Sequence, residues 1–251
     1  MGPEMPRLVL FDIDGTLVSS KGGIGRQAIS RVMGEIHGAP VEVTPEECAG
    51  RPDPQIVRNV LRRLGYTEER ASALLPRAMG LYLDRLEATY SIRAGAYCYP
   101  GVQDLLAFLA SESGVVLGLL TGNHERGAGI KLRPFGLDRY FPFGAFGSDH
   151  EERPRLPAIA VARAKERTGI GFHGKDIVIV GDTVHDVSCG RHLGVTAVAV
   201  TTGPASRDEL QAEGADLVVD SLAPTEALLE VILGRELSAR TGRSSPSSPP
   251  A

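Results

Sequence analysis

Short apolar runs recur along the chain, and each one ends abruptly in polar or small residues. Continuous apolar runs of this kind are typical of strands that are buried on both faces of a parallel sheet. They predict strands at residues 8–11, 115–120, 177–180, 196–200 and 217–219.

Apolar positions with helical spacing lie between these runs. Val102, Leu105, Leu106 and Leu109 recur at intervals of three and four residues, and residues 156–165 carry a similar pattern. Helices that alternate with buried strands predict an α/β fold, whose parallel strands are joined by right-handed crossovers.

Residues 18–97 interrupt this alternation, because they contain helical spacings and no convincing strand. Pro76 falls inside the third helical stretch, at 67–90, and predicts a kink or a restart there. We therefore expect a helical insertion at 18–97 and an α/β core formed by 1–17 and 98–236. The Ser/Pro-rich segment 237–251 predicts a disordered tail.

Composition and charge exclude several classes of protein. Hydrophobic residues make up 42% of the 251 residues and charged residues 23%, as in globular proteins. The net charge of −4 and the lack of a long basic run before the tail disfavour nucleic acid as a partner. No apolar stretch approaches the roughly 18 residues of a membrane span. Three cysteines without CxxC spacing indicate neither a disulfide framework nor a zinc site, so we expect a cytoplasmic protein.

Carboxylates follow two of the predicted strands, and a hydroxyl follows a third. Ligands of open parallel sheets bind at the carboxyl ends of the strands. Asp12 and Asp14 follow the first strand, whereas Asp182 and Asp186 follow the strand at 177–180. Four carboxylates in one partly dry site repel each other unless a hard cation lies among them. Mg²⁺ is the natural candidate for that cation.

The pair Asp12 and Asp14 also suits covalent phosphoryl transfer, in which one carboxylate attacks phosphorus and its neighbour moves protons. A turn at the end of a strand, or a calcium loop, explains the same DxDG pattern equally well. Thr121 and Gly122 follow another predicted strand and resemble a phosphate contact. An ordinary Thr-Gly turn would show the same sequence.

Three segments in this order resemble a known family. LVLFDIDGTLVSS, LLTGN and VIVGDTVHDVSCGRHLG are similar to motifs one, two and four of the haloacid dehalogenase (HAD) superfamily, and the resemblance covers residues 7–235. The most similar branch is phosphoglycolate phosphatase-like, with a helical cap inserted after motif one. This resemblance implies a Rossmann-like three-layer core with a parallel sheet, and a cap that moves on hinges near 17–21 and 96–101.

The resemblance also implies a function and a set of roles. It implies a magnesium-dependent phosphatase that hydrolyses a small phosphate monoester, either phosphoglycolate or a sugar phosphate. Asp12 is the implied nucleophile, which forms an aspartyl phosphate, and Asp14 is the general acid and base. The implied metal ligands are Asp12, Asp14 through its backbone carbonyl, Asp182 and Asp186. The implied phosphate contacts are Thr121, Gly122 and Asn123.

The sequence departs from the family at motif three, where a Lys followed by Pro is usual. Counting back from the next predicted helix places Arg153 at the Lys position, while Arg155 is a competing candidate. Arg51 lies in a loop similar to the cap loop of this branch, so it is either a substrate contact or a surface residue. We expect structural or rim roles for His124 and His185.

Two other functions remain open at this stage. A mutase similar to β-phosphoglucomutase also needs both motif-one aspartates and a helical cap. The unusual motif three also allows a weakly active or inactive relative with a binding role. The sequence specifies neither the ester nor the oligomeric state.

Overall fold

The computed structural model describes residues 6–237, so almost all of the predicted tail lies outside the described residues. The described strands are β1 (Arg7–Phe11), β2 (Val18–Ser20), β3 (Ala96–Cys98), β4 (Val115–Leu120), β5 (Gly144–Ala145), β6 (Ile177–Gly181), β7 (Thr196–Val200) and β8 (Leu217–Val219). The described helices are α1 (Ile24–His37), α2 (Pro45–Cys48), α3 (Asp53–Arg63), α4 (Glu68–Thr89), α5 (Val102–Ser111), α6 (Glu125–Leu132), α7 (Leu156–Thr168), α8 (Val184–Cys189), α9 (Arg207–Ala212) and α10 (Glu226–Leu233).

Six parallel strands form the central sheet in the order β5-β4-β1-β6-β7-β8. Side chains of β1 alternate between its two faces, as a strand requires. Val9 and Phe11 pack with α5 and α10, whereas Leu8 and Leu10 pack with α7. The sheet is therefore buried on both sides, which confirms the predicted α/β, Rossmann-like core.

Each of the five predicted strands lies within a strand of this sheet. The two-residue strand β5 escaped prediction, because two residues are too few to show a hydrophobic pattern. The sheet places the ends of β1, β4 and β6 side by side, since β1 pairs with both of the other strands. This adjacency brings the three polar segments of the sequence to one edge.

Helices α1, α3 and α4 pack around a separate hydrophobic cluster, as the helical spacings of residues 18–97 predict. The prediction that this segment lacks strands is wrong at its two ends. There β2 and β3 pair antiparallel, with Val18 opposite Cys98 and Ser20 opposite Ala96. These strands are three residues long, so pairing between distant segments, rather than local pattern, defines them. The exact domain boundaries stay a prediction.

Pro76 does not interrupt α4, contrary to the prediction of a restart. The helix runs unbroken over its 22 residues with Pro76 inside it. The proline is exposed, while Leu74, Ala78 and Met79 on the same helix are buried. The packing of this apolar face outweighs the one backbone hydrogen bond that proline removes. Across residues 6–237, no helix is both long enough and apolar enough to span a membrane.

Gly80 offers a test of this helix. A Cβ atom added at Gly80 meets no atom within 4 Å, and the residue lies in the interior of α4. We expect Gly80→Ala to raise the free energy of unfolding by about 0.5–1 kcal/mol, because alanine is the better helix former. Chemical denaturation measures this change.

Gly65 provides the matched control, since its added Cβ also meets no atom within 4 Å but its φ is +87°. Gly65→Ala should lower the free energy of unfolding by about 1 kcal/mol, because an L-residue is strained at positive φ. Equal effects of the two substitutions would contradict the described backbone.

Candidate active site

Three buried carboxylates form the floor of the candidate site. Asp12 directly follows β1, Asp182 directly follows β6, and Asp186 lies in the first turn of α8. One carboxylate oxygen from each lies within 4.8 Å of the others. The sheet therefore brings together three of the four carboxylates that the sequence predicts at its edge.

Local contacts fix the orientation of these carboxylates. The Thr16 hydroxyl donates to Asp182 Oδ1 at 2.8 Å. The Thr183 backbone N–H and hydroxyl donate to Asp186 Oδ2 at 3.0 and 2.6 Å, as the N-cap of α8. Asp182 also requires a glycine at position 203, since a Cβ there would lie 1.7 Å from its Oδ2. The surrounding chain thus leaves room for a carboxylate at each position.

Burial makes the negative charge of this floor costly. It raises the pKa of Asp12 to about 7, and the charge of Asp186 adds to this shift, while Arg153 opposes it. Burial also raises the pKa of Asp182 well above its usual value, together with the charges of Asp12 and Asp186. A cation among these oxygens would favour their ionised forms. The all-oxygen donor set, which borders an open cavity, fits Mg²⁺, because this ion takes oxygen ligands and keeps several waters.

Arg153 lies against this cluster, and Arg155 does not. Arg153 is buried, and its Nη2 lies 3.3 Å from Asp12 Oδ1 and contacts Asp186 Oδ1. Its Nε is buried without a hydrogen-bond partner among the described residues. The Arg155 side chain is 66% exposed and pairs with Glu152 at 2.8 Å. The structure therefore places the first of the two candidates beside the predicted nucleophile.

Thr121 and Asn123, at the end of β4, reach the same cluster. The Thr121 hydroxyl hydrogen-bonds to Asp12. This bond favours the carboxylate form, so it slightly offsets the rise in the pKa of Asp12 that burial causes. The Asn123 amide Nδ2 donates to Thr121 Oγ1 and to Asp14 Oδ2, both at 2.8 Å. The side-chain nitrogen of Asn123 thus holds two neighbours in place.

The Asp14 carboxylate lies outside the three-carboxylate cluster. Its side chain is 51% exposed and lies 2.6 Å from Lys131 Nζ. Both residues line the same cavity as Asp12. The predicted metal contact of Asp14 involves its backbone carbonyl, so the direction of its side chain leaves that prediction untested.

Lys131 is a site residue that the sequence analysis missed. It lies on α6 and is buried, and its Nζ also donates to Asn123 Oδ1 at 2.6 Å. One lysine in a helix carries no motif. The only available signal was its position eight residues after Asn123, about two helical turns along the helix that leaves this strand end.

The loop at 50–53 reaches the floor from the helical segment. The Asp53 backbone N–H donates to the Gly122 carbonyl at 2.7 Å, and Asp53 Oδ2 accepts from the His124 backbone N–H at 2.9 Å. Arg153 Nη1 donates to the Gly50 carbonyl at 3.2 Å. The loop, the helical segment and the strand ends enclose a cavity of about 460 Å³. Burial raises the pKa of Asp53 to about 6, and nearby Lys131 partly opposes this shift.

The remaining predicted residues lie around this cavity. Arg51 lines it, and its guanidinium donates to the Glu46 carbonyl.

His124 caps α6, where its Nδ1 accepts from the Arg126 backbone N–H at 3.2 Å. His185 packs so closely on Gly50 that an added Cβ there would lie 2.4 Å from its Cδ2. Burial lowers the pKa of both histidines. These contacts agree with the structural and rim roles expected for the two histidines.

Comparison with known proteins decides the family. Residues 6–194 match the family model described as haloacid dehalogenase-like hydrolase. The chain belongs to the haloacid dehalogenase-like hydrolases. The chain is 30% identical to phosphoglycolate phosphatase 1 of Pseudomonas aeruginosa, over 87% of this chain and 78% of the relative. It is also 30% identical to a phosphoglycolate phosphatase of Synechococcus elongatus, over 89% and 96%.

A solved structure shows the same fold. The haloacid dehalogenase-like chain superposes on CbbY from Rhodobacter sphaeroides, solved in complex with phosphate, with a TM-score of 0.70. The match covers 87% of this chain and 96% of CbbY, at 21% identity. Together with the relatives, the family confirms that this chain is a phosphatase of the phosphoglycolate phosphatase-like branch.

Gly122 provides a test of how the loop closes the site. A Cβ at Gly122 would lie 2.5 Å from the Arg51 carbonyl oxygen, which is a backbone atom that a side-chain rotation does not move. We expect Gly122→Ala to displace the loop and to lower kcat/KM for a phosphate ester by about tenfold or more. Steady-state kinetics measures this loss.

Gly80→Ala is the matched control, because its Cβ meets no atom within 4 Å and it lies outside the cavity. It should leave kcat/KM within about twofold of wild type. Unchanged kinetics in Gly122→Ala would show that the close approach of the loop is irrelevant to activity.

Proposed function

We propose that this phosphatase is magnesium-dependent and hydrolyses a small phosphate monoester through an aspartyl phosphate on Asp12. The observation that carries this proposal is the position of Asp12, buried at the strand ends between Arg153, Asp182 and Asp186. The names of the relatives support phosphoglycolate as the first ester to test. A sugar phosphate, which the sequence resemblance also implies, is the second. A small phosphorylated metabolite is the partner that this reaction requires.

In the first half-reaction, an Asp12 oxygen forms a bond to phosphorus and the bond to the ester oxygen breaks. Asp14 donates a proton to the departing alcohol. In the second half-reaction, Asp14 removes a proton from water, and the water oxygen attacks phosphorus. Inorganic phosphate leaves and the Asp12 carboxylate is restored.

Phosphate binding falls to residues that surround Asp12. Arg153 supplies a permanent positive charge, and its guanidinium, which lies beside Asp12, would donate N–H groups to a phosphoryl oxygen. Thr121, Gly122 and Asn123 supply a hydroxyl and backbone N–H groups at the end of β4. Arg153 takes the place of the lysine that the family usually has at motif three.

Asp12, Asp182 and Asp186, with the backbone carbonyl of Asp14, would hold Mg²⁺. When bound, Mg²⁺ supplies positive charge that offsets the negative charge of the phosphoryl group. The raised pKa values of Asp12 and Asp182 support this assignment, because both carboxyls need a cation to stay ionised near neutral pH.

Residues 18–97 would act as a cap that opens for exchange and closes for chemistry. Paired β2 and β3 lie at the two predicted hinges, where the chain leaves and re-enters the core. Arg58 of α3 makes two bonds to Glu151, at 2.7 and 2.9 Å, and so ties the cap to the core. Arg51, at the cavity wall, would contact the substrate. The cytoplasmic location stays a prediction.

A panel of phosphate esters tests this function. The panel contains 2-phosphoglycolate, a hexose phosphate and an aryl phosphate, each assayed with Mg²⁺ and with excess chelator. We expect phosphate release that chelator lowers by about 100-fold or more and that added Mg²⁺ restores. Release that is indifferent to chelator would contradict the metal assignment. Isomerisation of the sugar phosphate without phosphate release would show a mutase instead.

The two arginines of motif three give a paired prediction. We expect Arg153→Ala to lower kcat/KM by about 100-fold or more, because it removes the one charge that contacts Asp12. Arg155→Ala is the matched control and should stay within about twofold of wild type, since its exposed pair with Glu152 contributes little. The reverse ranking in the same kinetic assay would transfer the phosphate contact to Arg155.

A further inference from the structure

Lys131 is a buried cation to which the reaction described above assigns no role. It is 5% exposed and lies on α6, yet its ammonium borders the cavity that contains Asp12. Its Nζ donates to Asp14 Oδ2 and to Asn123 Oδ1, both at 2.6 Å. An ammonium has three N–H donors, so these two contacts leave one donor for a further partner.

The ammonium stays charged despite its burial. Burial alone would lower the pKa of Lys131, but the charges of Asp14 and Asp53 outweigh it and raise that pKa. Asp53 is itself engaged by the His124 backbone N–H at 2.9 Å, at the start of α6. The half-exposed Asp14 carboxylate is therefore the closest anionic partner of this ammonium.

The first turn of α1 approaches Lys131 closely, at the wall of the cavity. A Cβ added at Gly25 would lie 3.6 Å from Lys131 Nζ and 3.6 Å from the Tyr82 hydroxyl. All three residues line the cavity. The ammonium, the Tyr82 hydroxyl and the first turn of α1 thus form one polar part of the cavity wall, which Asp14 also lines.

The position of Asp14 relates this space to the substrate. In the proposed reaction Asp14 protonates the ester oxygen, so that oxygen lies beside the Asp14 carboxylate. Lys131 Nζ is 2.6 Å from the same carboxylate. A group carried one carbon beyond the ester oxygen therefore falls within reach of the ammonium.

We infer that Lys131 is a specificity-determining residue, whose ammonium binds a carboxylate on the leaving group of the ester. The favoured substrates are small phosphate monoesters with a carboxylate one carbon from the ester oxygen. The substrate carboxylate replaces Asp14 as the partner of Lys131, which leaves Asp14 free to turn to the ester oxygen. This inference rests on the proposed phosphatase function.

Two esters of similar size test the inference, namely 2-phosphoglycolate and 2-hydroxyethyl phosphate, which has a neutral hydroxyl in place of the carboxylate. We expect wild type to prefer the carboxylate ester in kcat/KM by about 30-fold. Lys131→Met should reduce this preference by about tenfold or more, mainly through a higher KM for 2-phosphoglycolate. Lys131→Arg, which keeps the charge, should retain part of it.

Lys165→Met is the matched control, because Lys165 is exposed on α7, and it should keep the full preference. An equal loss of kcat/KM for both esters in Lys131→Met would assign Lys131 a structural role and overturn the inference. The preference of wild type is measured without any substitution, so its absence would overturn the inference even if the variant failed to fold. No phosphate release by wild type from any ester of the panel would instead contradict the proposed function itself, whereas release from the hexose or aryl phosphate but not from 2-phosphoglycolate would overturn this inference alone.

Discussion

The candidate site depends on the balance of charge among four buried groups, namely three carboxylates and one guanidinium. Asp12, Asp182 and Asp186 lie together at the strand ends, and Arg153 is the cation that contacts Asp12 and Asp186 directly. Buried charges are unfavourable unless they are paired and hydrogen-bonded. The hydroxyls of Thr16 and Thr183 supply part of this compensation, and the pKa of Asp12 shows that it is incomplete. Such a site is suited to a divalent cation and to a phosphoryl group.

The two parts of the chain contribute differently to the site. The parallel sheet holds the carboxylates rigidly, because β1 is hydrogen-bonded to strands on both sides and packed on both faces. The helical segment approaches through the loop at 50–53, which contacts Gly122, His124 and Arg153. Arg153 therefore touches the predicted nucleophile and the cap loop at once. In the proposed reaction, closure of the cap would therefore be coupled to the orientation of the Arg153 guanidinium.

The sequence predicts the parts of the site that follow buried strands. Asp12, Thr121 and Asp182 could be predicted because hydrophobic strands end directly before them, and parallel strands bring such ends to one edge. Lys131 could not be predicted, since its burial results from the packing of α1 and α4 over α6. The continuity of α4 through Pro76 has the same origin, because local propensity is outweighed by an apolar face that only the tertiary structure covers. The strands β2 and β3 are defined by pairing across residues 18–98, which no local pattern shows.

The central claim is that Asp12 becomes covalently phosphorylated, and acid quench followed by mass spectrometry tests it most directly. Asp14→Asn slows the attack of water on the intermediate, whereas an aryl phosphate forms the intermediate without Asp14, because its phenolate leaves without a proton. This variant should therefore accumulate phosphoprotein when mixed with Mg²⁺ and an aryl phosphate. The account predicts a protein heavier by one phosphoryl group, with the modification on the peptide that contains Asp12, and none in Asp12→Asn. A phosphoryl group on any other residue, or phosphate release by wild type with no phosphoprotein detectable in Asp14→Asn, would contradict it.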